Sequence, residues 1–60
     1  MEPNPVDVQK ALKGADYPAS KSDLVALAQR NGAPEEVIQA LQAADGEQFD
    51  GPDAVQRALG

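Results

Sequence analysis

Sixty residues make one small domain at most, and a chain of this size buries only roughly 60% of its unfolded surface, so its margin of stability is thin. It has no cysteine and no histidine, which excludes disulfides, thiolate metal sites, imidazole catalysis and the usual zinc ligand. The formal net charge is −5, from ten acidic and five basic residues, a balance that favours solubility and opposes non-specific binding to phosphate backbones. No apolar run approaches the ~20 residues of a membrane span. The start, MEPNPVDV, lacks the basic and apolar regions of a signal peptide. A soluble cytoplasmic protein without membrane contact is the expectation.

Residues 1–4 and Gly60 are expected to be frayed ends. Asn4-Pro5 still reads as a helix start, with Asn as N-cap, Pro at the first helical position and Asp7 in the first turn. Val8, Ala11, Leu12 and Ala15 form the apolar stripe of a first helix over Pro5 to Lys13. Lys10 and Lys13 suit its negative end, and Gly14 is expected to close it. Pro18 pushes Tyr17 towards extended backbone, so 16–19 is a connection. Tyr17, the only tyrosine, is expected at the edge of the core, its ring covering apolar surface and its hydroxyl reaching outward.

Ser20 is a good N-cap with Asp23 three residues on, close to a capping box, and Ser22 competes for the same role. Leu24, Leu27, Ala28 and Asn31 follow at helical spacing, and Asn31-Gly32 closes this second helix, Lys21 to Asn31. Pro34 fits the first position of a third helix, Pro34 to Ala43, with Glu35 and Glu36 at the positive end of its dipole. Val37, Ile38, Leu41 and Ala44 are its stripe. Only about two non-helical residues join the pair, which implies a tight corner.

Asp45-Gly46 signals a turn. Glu47-Gln48-Phe49 reads as an extended piece too short and isolated for a stable sheet. Gly51 then serves as N-cap and Pro52 as the first residue of a last helix with Val55, Ala58 and Leu59 inward; two turns of helix need docking to persist. The fold expected is a single all-α domain over 1–60, a compact orthogonal bundle of about four short helices with a helix-turn-helix-like central pair. Its core is expected to be Val8, Leu12, Leu24, Leu27, Ala28, Val37, Ile38, Leu41, Phe49, Val55 and Leu59.

Val8-Gln9-Lys10 with Leu12-Lys13-Gly14, DYPASKSDLVALAQRNGA from Asp16, Val37 to Leu41, and FDGPDAVQRAL from Phe49 together resemble a family of short bacterial proteins classed only as a domain of unknown function. The resemblance runs from Pro5 to Leu59. It is most specific in YPASK-x-DL and in the aromatic-Asp-x-Pro stretch. It implies a compact module of this length, sometimes in tandem copies, and supplies no activity, ligand or catalytic residue. The chain departs from that pattern at Pro34, at Gly51 and at Ala43-Ala44, each at a helix end.

No constellation carries catalytic chemistry. Glu35/Glu36 and Asp50/Asp53 are carboxylate pairs at helix starts, where capping accounts for them. Asp45, Glu47, Asp50 and Asp53 lack the ligand spacing of a calcium loop. Ser20 and Ser22 have no imidazole base, and the glycines form no phosphate loop. No cofactor and no metal is therefore expected, and the chain is read as a non-enzyme.

Two functions remain. One is a non-catalytic module that binds another protein or itself through an alanine- and glutamine-rich surface at Ala26, Gln29, Gln39 and Gln42, with Val25 as an exposed apolar contact. The other is a helix-turn-helix regulator, since Gln can read adenine and Lys10, Lys13 and Lys21 are a modest basic group. The candidate surface is Lys10, Lys13, Tyr17, Lys21, Val25, Gln39 and Gln42. The third helix carries no Lys or Arg and opens on two glutamates, so nucleic acid is the disfavoured partner.

Overall fold

The structure, a computed structural model, describes residues 4–59. The expected fraying of Met1 to Pro3 and Gly60 lies outside that range. Four helices and two short strands follow in the order α1 (Pro5–Ala11), β1 (Ala19–Ser20), α2 (Lys21–Arg30), α3 (Glu35–Ala43), β2 (Gln48–Phe49) and α4 (Pro52–Leu59).

The helix starts follow from local chemistry. Asn4 is fixed as the N-cap of α1, its Oδ1 accepting from the Val6 N–H at 2.8 Å. Ser20 wins over Ser22 as the cap of α2, its Oγ accepting from the Asp23 N–H at 3.1 Å. Pro34 stands one place earlier than expected, as N-cap of α3, its carbonyl accepting from Val37 and Ile38. Pro52 is the first residue of α4, as expected, and the Gly51 carbonyl accepts from Ala54 and Val55.

The helix ends are less regular. Helix α1 stops at Ala11, two residues short of the expected Lys13, with Leu12 as C-cap. Lys13 and Ala15 then donate to carbonyls three residues back, a tighter turn that carries the chain to Gly14 at φ +88°. Four residues, 31–34, rather than two separate α2 from α3, with Gly32 at φ +73° making the reversal.

A small sheet corrects the all-helical expectation. β1 and β2 pair antiparallel, with Ala19 opposite Phe49 and Ser20 opposite Gln48, and the Lys21 N–H extends the ladder to the Glu47 carbonyl at 2.8 Å. Gln48-Phe49 looked isolated because its partner lies about thirty residues earlier in the sequence. The fold is thus four helices around one core with a two-stranded clip.

That core is Val8, Ala11, Leu12, Ala19, Leu24, Ala28, Val37, Leu41, Ala44, Phe49 and Val55. Ile38 and Leu59 are only half-buried and pack on its margin, and Leu27 is half-buried on the flank of α2. In their place stand Ala11, Ala19 and Ala44. Ala11 and Ala44 lie on the apolar stripes of the first and third helices and are buried more deeply than their size suggested, while Ala19 is brought in by the β-clip. Small side chains there let the elements approach closely.

Candidate functional site

Helix α2 is the element from which the site is built. Leu24 and Ala28 face inward and are 1% and 0% exposed. At about 100° per residue, Ala26 then points directly away from the core. Ser22, Asp23, Gln29 and Arg30 surround it, and all five side chains are exposed. Val25 and Leu27 sit on the two flanks and are half-buried. The helix is therefore a ridge, and Ala26 lines the depressions on both sides of it.

The larger depression, a groove of about 660 Å³, runs between α2 and α3. Val25, Ala26 and Gln29 form its α2 wall, Gln42 its α3 wall, and Ser20, Lys21, Ser22 and Glu47 close one end. The opposite depression is lined along α2 by Asp23, Ala26, Leu27 and Arg30, with Asp16 across from them.

Lys21 ties the groove together. Its ammonium donates to the Gln42 carbonyl at 3.0 Å and to the Ala44 carbonyl, two acceptors at the C-terminal end of α3. Those carbonyls have no partner inside the helix, and a cation there also faces the negative end of the dipole. Helix α3 has no basic residue in its own last turn, so a lysine from another helix does this work. Asn31 plays a similar part at the other end of α2. Its Nδ2 donates to the Ala11 carbonyl at 2.7 Å and to the Lys13 carbonyl at 3.2 Å, clasping α1 to α2.

The seven residues expected to form one surface are thus divided. Lys21, Val25 and Gln42 share the α2–α3 groove. Val25 is not the free apolar contact expected: it is half-buried and packs against the core, because it borders the buried Leu24 and Ala28 face. Lys10 and Lys13 are exposed at the far end of α1. They do not form a basic group with Lys21, whose charge is committed to α3. Gln39 is exposed on α3, and its amide donates to Glu35 Oε1 one turn back at 3.4 Å. Tyr17 is half-buried in a separate cleft between α1 and α4, with Val8, Leu12 and Pro52. Burial there pushes its phenol above the ordinary tyrosine value.

Asp23, Leu27 and Arg30 were not among the expected contacts. The available signal was that they recur at i, i+4 and i+7, along one flank of α2 beside the Leu24 and Ala28 face.

Charge is distributed unevenly over this frame. Residues 1–34 hold four acids (Glu2, Asp7, Asp16, Asp23) and four bases (Lys10, Lys13, Lys21, Arg30), and residues 35–60 hold six acids against Arg57 alone. The whole net charge of −5 therefore belongs to the second half, and the surface of α2 lies in the neutral one. Among the described residues no group of three or more acidic side chains is placed to hold a metal ion, and no helix is long and apolar enough to cross a membrane.

No curated protein and no solved structure matches the chain. The model of a family described as protein of unknown function, DUF2795, matches residues 3–56, nearly the full length, and the chain belongs to that family.

Proposed function

We propose that this chain is a non-catalytic protein-interaction module whose contact surface is the outer face of α2 with the adjoining α2–α3 groove. The observation that carries this reading is the character of that surface. Ser22, Ala26, Gln29 and Gln42 are uncharged and exposed, and half-buried Val25 lies between them. A patch of small, amide and hydroxyl side chains can lose water at low cost and still supply hydrogen bonds. All of it except Gln42 lies in the neutral half of an otherwise acidic chain. The acidic balance and the lack of cysteine fit a cytoplasmic setting, and the sequence resemblance fits a bacterial one.

The helix-turn-helix alternative fares worse on electrostatics. Helix α3, which would enter the groove of DNA, begins with Glu35 and Glu36 and has no Lys or Arg. Lys21, the nearest base, already donates to the α3 carbonyls. Each phosphate contact needs a cation or a free donor, and this face offers too few.

The test is capture from host lysate with tagged wild-type chain and with Ala26→Arg, each with and without nuclease. Arg is a good helix former, so this change at an exposed helical site leaves stability nearly unchanged. The reading expects a protein that survives nuclease and is lost with Ala26→Arg. Retention that disappears with nuclease would instead favour the DNA-binding alternative.

A further inference from the structure

The outer face of α2 has a symmetry of its own. Viewed with Ala26 at the centre, Asp23 and Arg30 lie on one side of the ridge, and Ser22 and Gln29 lie on the other. Both pairs are seven residues apart, two turns and roughly 10 Å along the axis. All five residues are exposed. Leu27 flanks the Asp23–Arg30 side, half-buried and outside the group of side chains packed on the core, and Val25 flanks the other.

We propose that this face docks a second copy of the same chain, with the two α2 helices antiparallel about a two-fold axis beside Ala26. This rests on reading the chain as an interaction module and names the partner for that surface. A two-fold axis in the interface reverses the helix direction and keeps each lateral side facing itself. Asp23 of one copy then meets Arg30 of the other, twice. Ser22 meets Gln29 twice on the opposite side. The two i, i+7 pairs have their midpoints on either side of Ala26, so a register centred there brings all four contacts to within about 1.5 Å of level. Alanine at the centre lets the helix axes approach closely, and Leu27 from each copy covers the charged side.

The occupant is argued from charge complementarity. On α2 itself the ridge carries one acid and one base, three and four residues from Ala26, and they match a surface with the same two charges in reverse order; Asp16, across the depression, adds an acid at the margin. An acidic or a basic partner would satisfy one and repel the other. The second half, with its net charge of −5, is a poor site for pairing like copies. Helix α2 avoids that repulsion because its own acid and base balance there.

The experiment is sedimentation of the purified full chain over a concentration series at ~0.15 M salt, which screens the long-range repulsion between two acidic copies. Wild type is expected to show a monomer–dimer equilibrium. Arg30→Asp leaves two acids on the face and Asp23→Lys leaves two bases, so each alone should dimerise about tenfold more weakly. An equimolar mixture of the two should recover dimers, because the acidic face of one variant pairs with the basic face of the other. Circular dichroism checks that both fold, and Ala26→Arg, which blocks the close approach, should also abolish the dimer.

A wild-type chain that stays monomeric to ~1 mM, a dissociation constant too weak for a specific contact, overturns the proposal. So does a dimer indifferent to Arg30→Asp and Asp23→Lys, or single variants that the mixture fails to rescue. Any of these leaves the interaction-module reading to be decided by the lysate capture. A capture experiment that fails while the mixture effect holds would show self-pairing without a further partner.

Discussion

Residues 4–34, which form α1, β1 and α2, and residues 35–59, which form α3, β2 and α4, contribute to the same core in similar measure. The first supplies Val8, Ala11, Leu12, Ala19, Leu24 and Ala28, and the second Val37, Leu41, Ala44, Phe49 and Val55. Their surfaces differ. Counted along the whole sequence, residues 1–34 balance four acids against four bases, and residues 35–60 carry all of the net charge. The difference teaches that the acidity of the chain is not a property of its fold. Either half could pack as it does with other surface charges, so the placement of charge says where contact is tolerated rather than how the core is held.

The most damaging changes should ignore the division. Leu24→Ala and Leu41→Ala each empty a fully buried site, 1% exposed in either case, and should each cost about 2–5 kcal/mol. Domains of this size have only a few kcal/mol in total, so both variants should be largely unfolded at 25 °C by chemical denaturation. Leu27→Ala, on the ridge flank, should cost under about 1 kcal/mol. A Leu27→Ala variant as damaged as Leu24→Ala would mean that Leu27 belongs to the core after all.

The polar clasps come next, and the division separates them: the Lys21 clasp spans it and the Asn31 clasp lies within the first region. Lys21→Met removes the donor that joins the start of α2 to the end of α3, leaving the Gln42 and Ala44 carbonyls to water, and should cost about 1–2 kcal/mol. Asn31→Ala breaks the clasp between α1 and α2 within the neutral half and should cost about 1 kcal/mol. Amide hydrogen exchange should show the first loosening α3 and the second loosening α1. Identical exchange patterns for the two variants would blur the distinction between the halves.

The smallest effect concerns Tyr17. Burial raises its folded-state pKa above the ordinary value of 10.0. The folded chain therefore holds the phenolic proton more tightly, and the stability this contributes is present below pH 10 and declines as pH rises from the ordinary value through the folded one. Tyr17→Phe should flatten that alkaline decline while leaving stability at neutral pH nearly unchanged. A decline of the same size in Tyr17→Phe would assign it to other groups.

The helices were legible because their signals are local. Asn4 and Ser20 cap their own helices through neighbours two and three residues away, and Gly32 supplies the positive φ of the α2–α3 turn. The β-clip was not, because Ala19-Ser20 and Gln48-Phe49 are strands only in each other's presence. Lys21 was misread for the same reason. Its position suggested a surface charge, and its partners are carbonyls more than twenty residues away. Of the candidate surface, Lys21, Val25 and Gln42 converge because the short α2–α3 turn brings those helices together. Lys10, Lys13, Tyr17 and Gln39 do not, since composition alone says nothing about which ends of a bundle meet.

The central claim is that contact runs through the neutral ridge of α2 and not through the acidic face of α3. The most direct measurement is the amide shift map of the 15N-labelled chain as the nuclease-resistant partner is added, with duplex DNA in a parallel titration. The account predicts shifts concentrated on Ser22, Val25, Ala26, Gln29 and Arg30 with protein, and none that saturate with DNA. Saturating shifts on Glu35, Glu36 and Gln39 with DNA, and silence along α2, would contradict it.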